Sequence, residues 1–130
     1  MTFFCPGCWK IIPGDVKVCP KCGCDLAAAA ARTYPEKLIG ALHHPEPETR
    51  LRAAEILGDQ GHRPAIGPLL ARAREELREP RRDIFFLGAL LRSARKLGAP
   101  AEDWQTLLDQ ANHCFLRQLV EDDHPRYRRP

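Results

Sequence analysis

The sequence predicts a mainly α-helical protein that opens with a small β-hairpin module. Three observations carry this. Two Cys-x2-Cys pairs lie ten residues apart within residues 5–22. From Thr33 onward, apolar residues recur at spacings of three and four between glycines and prolines, the period of a helix with one buried face. Those helical segments also repeat one another at shifts of 31 to 38 residues, the mark of stacked helical pairs.

The bulk numbers set the frame. A chain of 130 residues, 44% hydrophobic and 28% charged, suits one ordinary domain or a small module beside a modest one. A formal charge of +3 compels neither a nucleic acid nor a membrane partner. Met1-Thr2-Phe3-Phe4 lacks a basic start, Cys5 interrupts any apolar run, and no window approaches the ~20 apolar residues of a spanning helix. We therefore expect a cytoplasmic protein with no membrane association. There, paired cysteines more often bind metal than each other.

The chain divides into residues 1–26, which hold the cysteine module, an alanine-rich connector at 27–32, a helical domain at 33–123 and a basic tail at 124–130. In the module, two residues between cysteines let both sulfurs of a tight turn face one point. Two such turns facing each other place four thiolates at the corners of a tetrahedron around Zn²⁺. Cys5, Cys8, Cys19 and Cys22 are thus expected to hold a structural zinc. Rubredoxin-type iron uses similar pairs, but the short connection and few aromatics argue against it. Between the pairs, Lys10-Ile11-Ile12 is expected to run out, Pro13-Gly14-Asp15 to turn in a type II geometry, and Val16-Lys17-Val18 to return. Gly23 supplies the permissive backbone of the second turn. Lys10, Lys17 and Lys21 offset part of the negative charge. So short a region cannot bury enough apolar surface to fold alone, so metal binding would supply its folding free energy. Four cysteines close the shell, which argues against a catalytic metal. Cys24 breaks the two-residue spacing and is expected to be a spare.

The connector AAAAAR reads as a helical turn, alanine being the best helix former. Five helices should follow. Thr33 caps the first, with Glu36 as its return partner, and Leu38, Ile39 and Leu42 face inward. His44-Pro45-Glu46-Pro47 breaks it. The second spans roughly 47–60, with Leu51, Ala54, Ile56 and Leu57 inward and Gly61 at its end. The third starts near Pro64, with Ile66, Leu69, Leu70, Ala73 and Leu77 inward. The fourth spans roughly 82–97, with Ile84, Leu87, Leu91 and Ala94 inward, and Gly98 closes it. The fifth starts near Pro100, favoured by Glu102 and Asp103 at its positive end, with Trp104, Leu107, Leu108, Ala111, Phe115 and Leu119 inward.

Three other groups invite a chemical reading. His43-His44 are neighbours on a helix, point apart, and read as a solvated helix end rather than a metal site. His113-Cys114 are likewise neighbours, and Cys114 borders an apolar stripe, so a buried, inert cysteine is expected. Arg72, Arg74, Arg78, Arg81 and Arg82 interleave with Glu75, Glu76 and Glu79, the look of a solvated surface.

Phe4-Cys5-Pro6-Gly7-Cys8, Pro13-Gly14, Cys19-Pro20-Lys21-Cys22-Gly23 and Leu26 resemble the short CPxCG zinc ribbons of bacteria, with Trp9 where the first knuckle usually has glycine. The stretch 46–70 resembles the HEAT-like repeats first described in phycobilisome lyases. Its carriers are Glu46-Pro47-Glu48, Arg50, Ala53-Ala54, Ile56-Leu57-Gly58, Gly61, Ala65-Ile66 and Leu69-Leu70. Residues 82–122 depart from that pattern at Phe85-Phe86, Gly88 and Ser93-Ala94-Arg95. The resemblance implies interaction modules. Combined with the absence of a His-Glu pair, a phosphate loop or a Ser-His-Asp order, it implies a non-enzymatic adaptor that binds another protein. A nucleic-acid-associated regulator using the ribbon and the Arg-rich tail is one alternative, and a lyase accessory is another. The ribbon is expected to cover one end of the stack, with Trp9 or Tyr34 in the contact.

Overall fold

The computed structural model describes residues 2–121, so the basic tail at 124–130 and the last positions of the expected helical domain lie outside the described residues. Two strands, β1 (Thr2–Phe4) and β2 (Ile11–Pro13), are followed by seven α-helices: α1 (Leu26–Ala30), α2 (Tyr34–Gly40), α3 (Pro47–Asp59), α4 (Ile66–Arg78), α5 (Ile84–Lys96), α6 (Ala101–Ala111) and α7 (Cys114–Glu121). Short 3-10 turns at Ala41–His43 and Arg63–Ala65 extend α2 and lead into α4.

The strand pairing differs from the expected one. β1 pairs antiparallel with β2, Phe3 opposite Ile12, so the partner of Ile11–Pro13 precedes it in the chain instead of following it. The reversal is made by the first cysteine knuckle, because the Cys5 N–H donates to the Lys10 carbonyl at 2.9 Å and so carries the ladder to the knuckle's base. Val18 instead bridges Asp25 across the second knuckle. Gly14-Asp15 only joins the two halves.

The connector is a helix, as its alanines suggest. Asp25 caps it, its carboxylate accepting from the Ala27 and Ala28 amides at 3.0 and 3.2 Å. Thr33 caps α2, accepting from the Glu36 amide at 3.4 Å and donating its hydroxyl to the Glu36 carboxylate at 2.8 Å, which closes the expected capping box. Gly61 and Gly98 end α3 and α5 with φ of +68° and +98°, a backbone region that side chains disfavour.

The helices form two layers. In one, α3, α5 and α7 pack successively; in the other, α4 packs on α6, while α2 and the turn after it meet α3. Their facing sides enclose one core from Leu38 to Val120. The expected fifth helix is in fact two. Asn112 takes a left-handed φ of +48°, and the His113 ring accepts the Leu116 amide at 3.3 Å, capping a new helix. The break turns Leu116 and Val120 fully inward and leaves Phe115 at the surface, against expectation. It also completes a third helical pair. Cys114 opens α7 and is exposed, not buried.

Close helix approach explains two of the departures noted above. A Cβ at Gly58 would lie 2.7 Å from the Ser93 hydroxyl, and that hydroxyl donates to the Ala54 carbonyl at 2.7 Å. A Cβ at Gly88 would lie 3.2 Å from Leu119. Small residues thus let α5 seat between α3 and α7. Phe86, another departure, is fully buried.

Part of the Arg–Glu run is buried too, contrary to a solvated surface. The Arg72 guanidinium lies 5.0 Å from the Phe86 ring centre, donates to the Leu42 carbonyl at 2.9 Å and pairs with Glu76 at 3.3 Å. Glu76 accepts the Asp83 amide at 3.0 Å, tying α4 to the start of α5. Arg50 lies over the same ring at 5.4 Å and donates to the His44 carbonyl at 2.8 Å. Two arginines therefore hold the chain at residues 42–45 against the stack.

Candidate metal centre

Each knuckle is the same short device, repeated 14 positions on. In the first, the Trp9 amide donates to the Cys5 carbonyl at 2.7 Å and the Gly7 amide to the Cys5 sulfur at 3.3 Å. In the second, the Gly23 amide donates to the Cys19 carbonyl at 3.0 Å and the Lys21 amide to the Cys19 sulfur at 3.4 Å. The Cys19 N–H closes the second knuckle on the Cys24 carbonyl at 3.0 Å, as Cys5 does on Lys10. Residues 5–10 (CPGCWK) and 19–24 (CPKCGC) thus form a pseudo-symmetric pair. Aligning them in sequence would have shown that Cys24 occupies the place of Lys10. Its carbonyl serves the knuckle and its thiol is surplus.

The four thiols of Cys5, Cys8, Cys19 and Cys22 come together with all sulfurs within 4.8 Å of one another. Cys5 and Cys22 are 3.6 Å apart, and Cys8 and Cys19 are 3.8 Å apart. The sulfur–sulfur edge of a tetrahedron with metal–sulfur bonds of ~2.3 Å is about 3.8 Å. All six cysteines are free thiols. The four are therefore placed to hold a metal ion. Cys5 and Cys19 are buried, Cys8 is half-buried and Cys22 is exposed.

The local field prepares the cluster for ionisation unequally. Burial pushes the Cys19 thiol up, but the Lys21 and Cys22 amides and the neighbouring Cys5 and Cys22 thiols outweigh it and bring it down to about 6. Burial likewise raises Cys5, and the Cys8 and Gly7 amides reverse it, for a net lowering. The Cys24 amide favours ionised Cys22, but burial and the Cys19, Cys5 and Cys8 sulfurs push that thiol up to about 12. One knuckle sulfur is thus ready to ligate, and a cation has to displace the proton of another.

Trp9 is the odd member of the symmetry. It adopts φ of +59°, where its counterpart Gly23 has +79°. The knuckle geometry is kept, with a tryptophan holding the glycine conformation at a cost of ~1–2 kcal/mol. Its side chain offsets that cost. The indole lies 4.9 Å from the His44 ring, and Phe4 meets the same ring edge-on at 5.0 Å. The indole edge also comes within 4.0 Å of the Cβ position at Gly40. The ribbon therefore packs on the end of α2 and the loop pinned by Arg50 and Arg72. Tyr34 takes no part in this and is exposed.

Gly7 breaks the symmetry for a second reason. A Cβ there would lie 2.9 Å from the Cys24 Cβ, so the surplus cysteine leans on the first knuckle. Burial and the negative Cys5 sulfur raise the Cys24 thiol, against the opposing field of Arg32. The histidine pair splits as expected. His43 meets Glu75 at 3.0 Å, while His44 accepts the Glu46 amide at 3.1 Å and receives the ribbon. His44 is thus a docking residue, not a solvated helix end; nothing in its sequence neighbourhood signals this.

Comparison with known protein families, curated proteins and solved structures finds no match to this chain. Among the described residues no helix is long and apolar enough to cross a membrane.

Proposed function

We propose that this protein is a non-enzymatic adaptor: a zinc ribbon, its Zn²⁺ held by Cys5, Cys8, Cys19 and Cys22, fused to three HEAT-like helical pairs that bind another protein. The observation that carries the reading is the tetrathiol cluster, whose sulfur spacings suit a zinc shell with all four positions filled by protein. A filled shell leaves no site for water or substrate, so the metal's work is to fold the ribbon. The layered helices support the second half of the reading, since stacked pairs expose long continuous faces.

Elemental analysis of the purified chain tests the metal: one zinc per chain is expected. Ellman's reagent should titrate exposed Cys114 readily, the half-buried Cys24 more slowly, and the other four thiols only after chelation. Absence of a divalent ion, or the absorption of a ferric tetrathiolate, overturns the zinc assignment. Affinity capture from native cells under nuclease treatment tests the adaptor. A retained protein partner is expected; retention that disappears with nuclease and falls steeply with salt points instead to nucleic acid.

A further inference from the structure

A groove of about 420 Å³ runs between the ribbon and the first two helices. That is within the range of sites that receive a small ligand or a few side chains. Its surface is largely apolar, with Phe4 and Trp9 on the ribbon side and Leu26 and Ala29 on the α1 side. The charged residues lining it are Arg32 and Lys37, and among the described residues no carboxylate joins them. Both cations are exposed. Neither Lys37 nor Arg32 forms an ion pair with a described residue. The groove is thus an apolar trough with a cationic rim.

The complement of such a trough is an apolar side chain with a carboxylate beside it. β1, which contributes Phe3 and Phe4, is an edge strand with one neighbour, β2, among the described residues. An edge strand favours an extended peptide over a free acid, because it offers main-chain hydrogen bonds as well. The geometry points to a peptide-docking site: an extended segment of a partner protein sets a Leu- or Phe-sized side chain into the groove and an adjacent Asp or Glu against Arg32 and Lys37. This deepens the adaptor reading and rests on it. Phe4 and Trp9 flank Cys5 and Cys8, so the groove exists only while the first knuckle is held, and docking depends on the metal.

A displayed library of seven-residue peptides, selected on the zinc-loaded full chain, tests this. Selected peptides should carry an apolar residue next to Asp or Glu. Their affinity should fall about tenfold or more in the double variant Arg32→Glu, Lys37→Glu, as expected when charge pairs are reversed at an interface. Ala30→Trp, which fills the groove from an exposed helical position, should cause a similar loss. Zinc content and thermal melting of both variants serve as folding controls. Peptides without a carboxylate, peptides that bind the variants as they bind the parent, or no selection at all overturn the proposal. Capture from native cells separates the two levels. A partner retained equally by the parent and Ala30→Trp leaves the adaptor standing and removes the groove. A chain that retains no partner removes both.

Discussion

In the ribbon, the buried cluster is Cys5, Ile12 and Cys19, and two of these three are candidate metal ligands. In the helical stack, the buried cluster runs from Leu38 to Val120 through every helix from α2 to α7, with Phe86 fully enclosed at its centre. The first region has little apolar surface to remove from water, the second a great deal. At ~25 cal/mol per Å², apolar burial can hold the stack but not the ribbon. On the proposed reading one chain would draw on two sources of folding free energy, burial in the stack and a metal in the ribbon, and Phe4 and Trp9, both against the His44 ring, join the two regions.

The strongest way to break the comparison is to remove the metal. Chelation, or Cys19→Ser, should unfold the ribbon completely while far-UV circular dichroism of the helices persists; loss of both signals together would show that the stack depends on the ion. Acid should do the same reversibly. Cys19 is held at about 6 in the fold against about 9 unfolded. A depressed value stabilises the fold above the unfolded value, and that contribution is lost as pH falls through the folded one. Protons compete with the cation for the thiolates, so zinc release, read with a chromogenic chelator, should increase as pH falls and reverse on neutralisation; release that does not respond to pH would contradict it.

Next in size is the core of the stack. Phe86→Ala removes a fully buried ring that carries both Arg50 and Arg72, and should cost about 3–5 kcal/mol in urea unfolding. Zinc stoichiometry should remain one, because the ribbon's own bonds are untouched. The smallest effect is the sharpest. Trp9→Gly relieves the left-handed strain, a gain of about 1 kcal/mol for the knuckle, and removes the contact to His44. Zinc affinity should hold or rise while the melting temperature of the stack falls by a few degrees. A fall in zinc affinity with no change in the stack would mean the indole serves the ribbon alone.

Legibility followed sequence distance. The meeting of Cys5, Cys8, Cys19 and Cys22 was readable because it depends on spacings of three, and so were the capping box at Thr33 and the helix ends at Gly61 and Gly98. The strand pairing was misjudged because a Pro-Gly pair is a good local turn, yet the hydrogen bond from the Cys5 amide to the Lys10 carbonyl makes the knuckle itself the reversal. The fifth helix read as continuous because Asn112-His113 carries no proline or glycine. Its break became visible only where the left-handed Asn112 let Leu116 and Val120 reach the core. Arg72 and Glu76 read as surface because each is charged. Burial was acceptable only because they found each other, a ring and two backbone partners.

From the order of residues alone came the four thiols, the helical period and the recurrence of helical pairs, since each rests on bonds or contacts a few positions apart. The folded molecule alone decided that the last helix breaks at Asn112 and turns Leu116 and Val120 inward in place of Phe115, why Gly7, Gly58 and Gly88 had to be small, and that the ribbon sits on His44. Those depend on surfaces brought together across tens of residues, where packing and desolvation outweigh local preference.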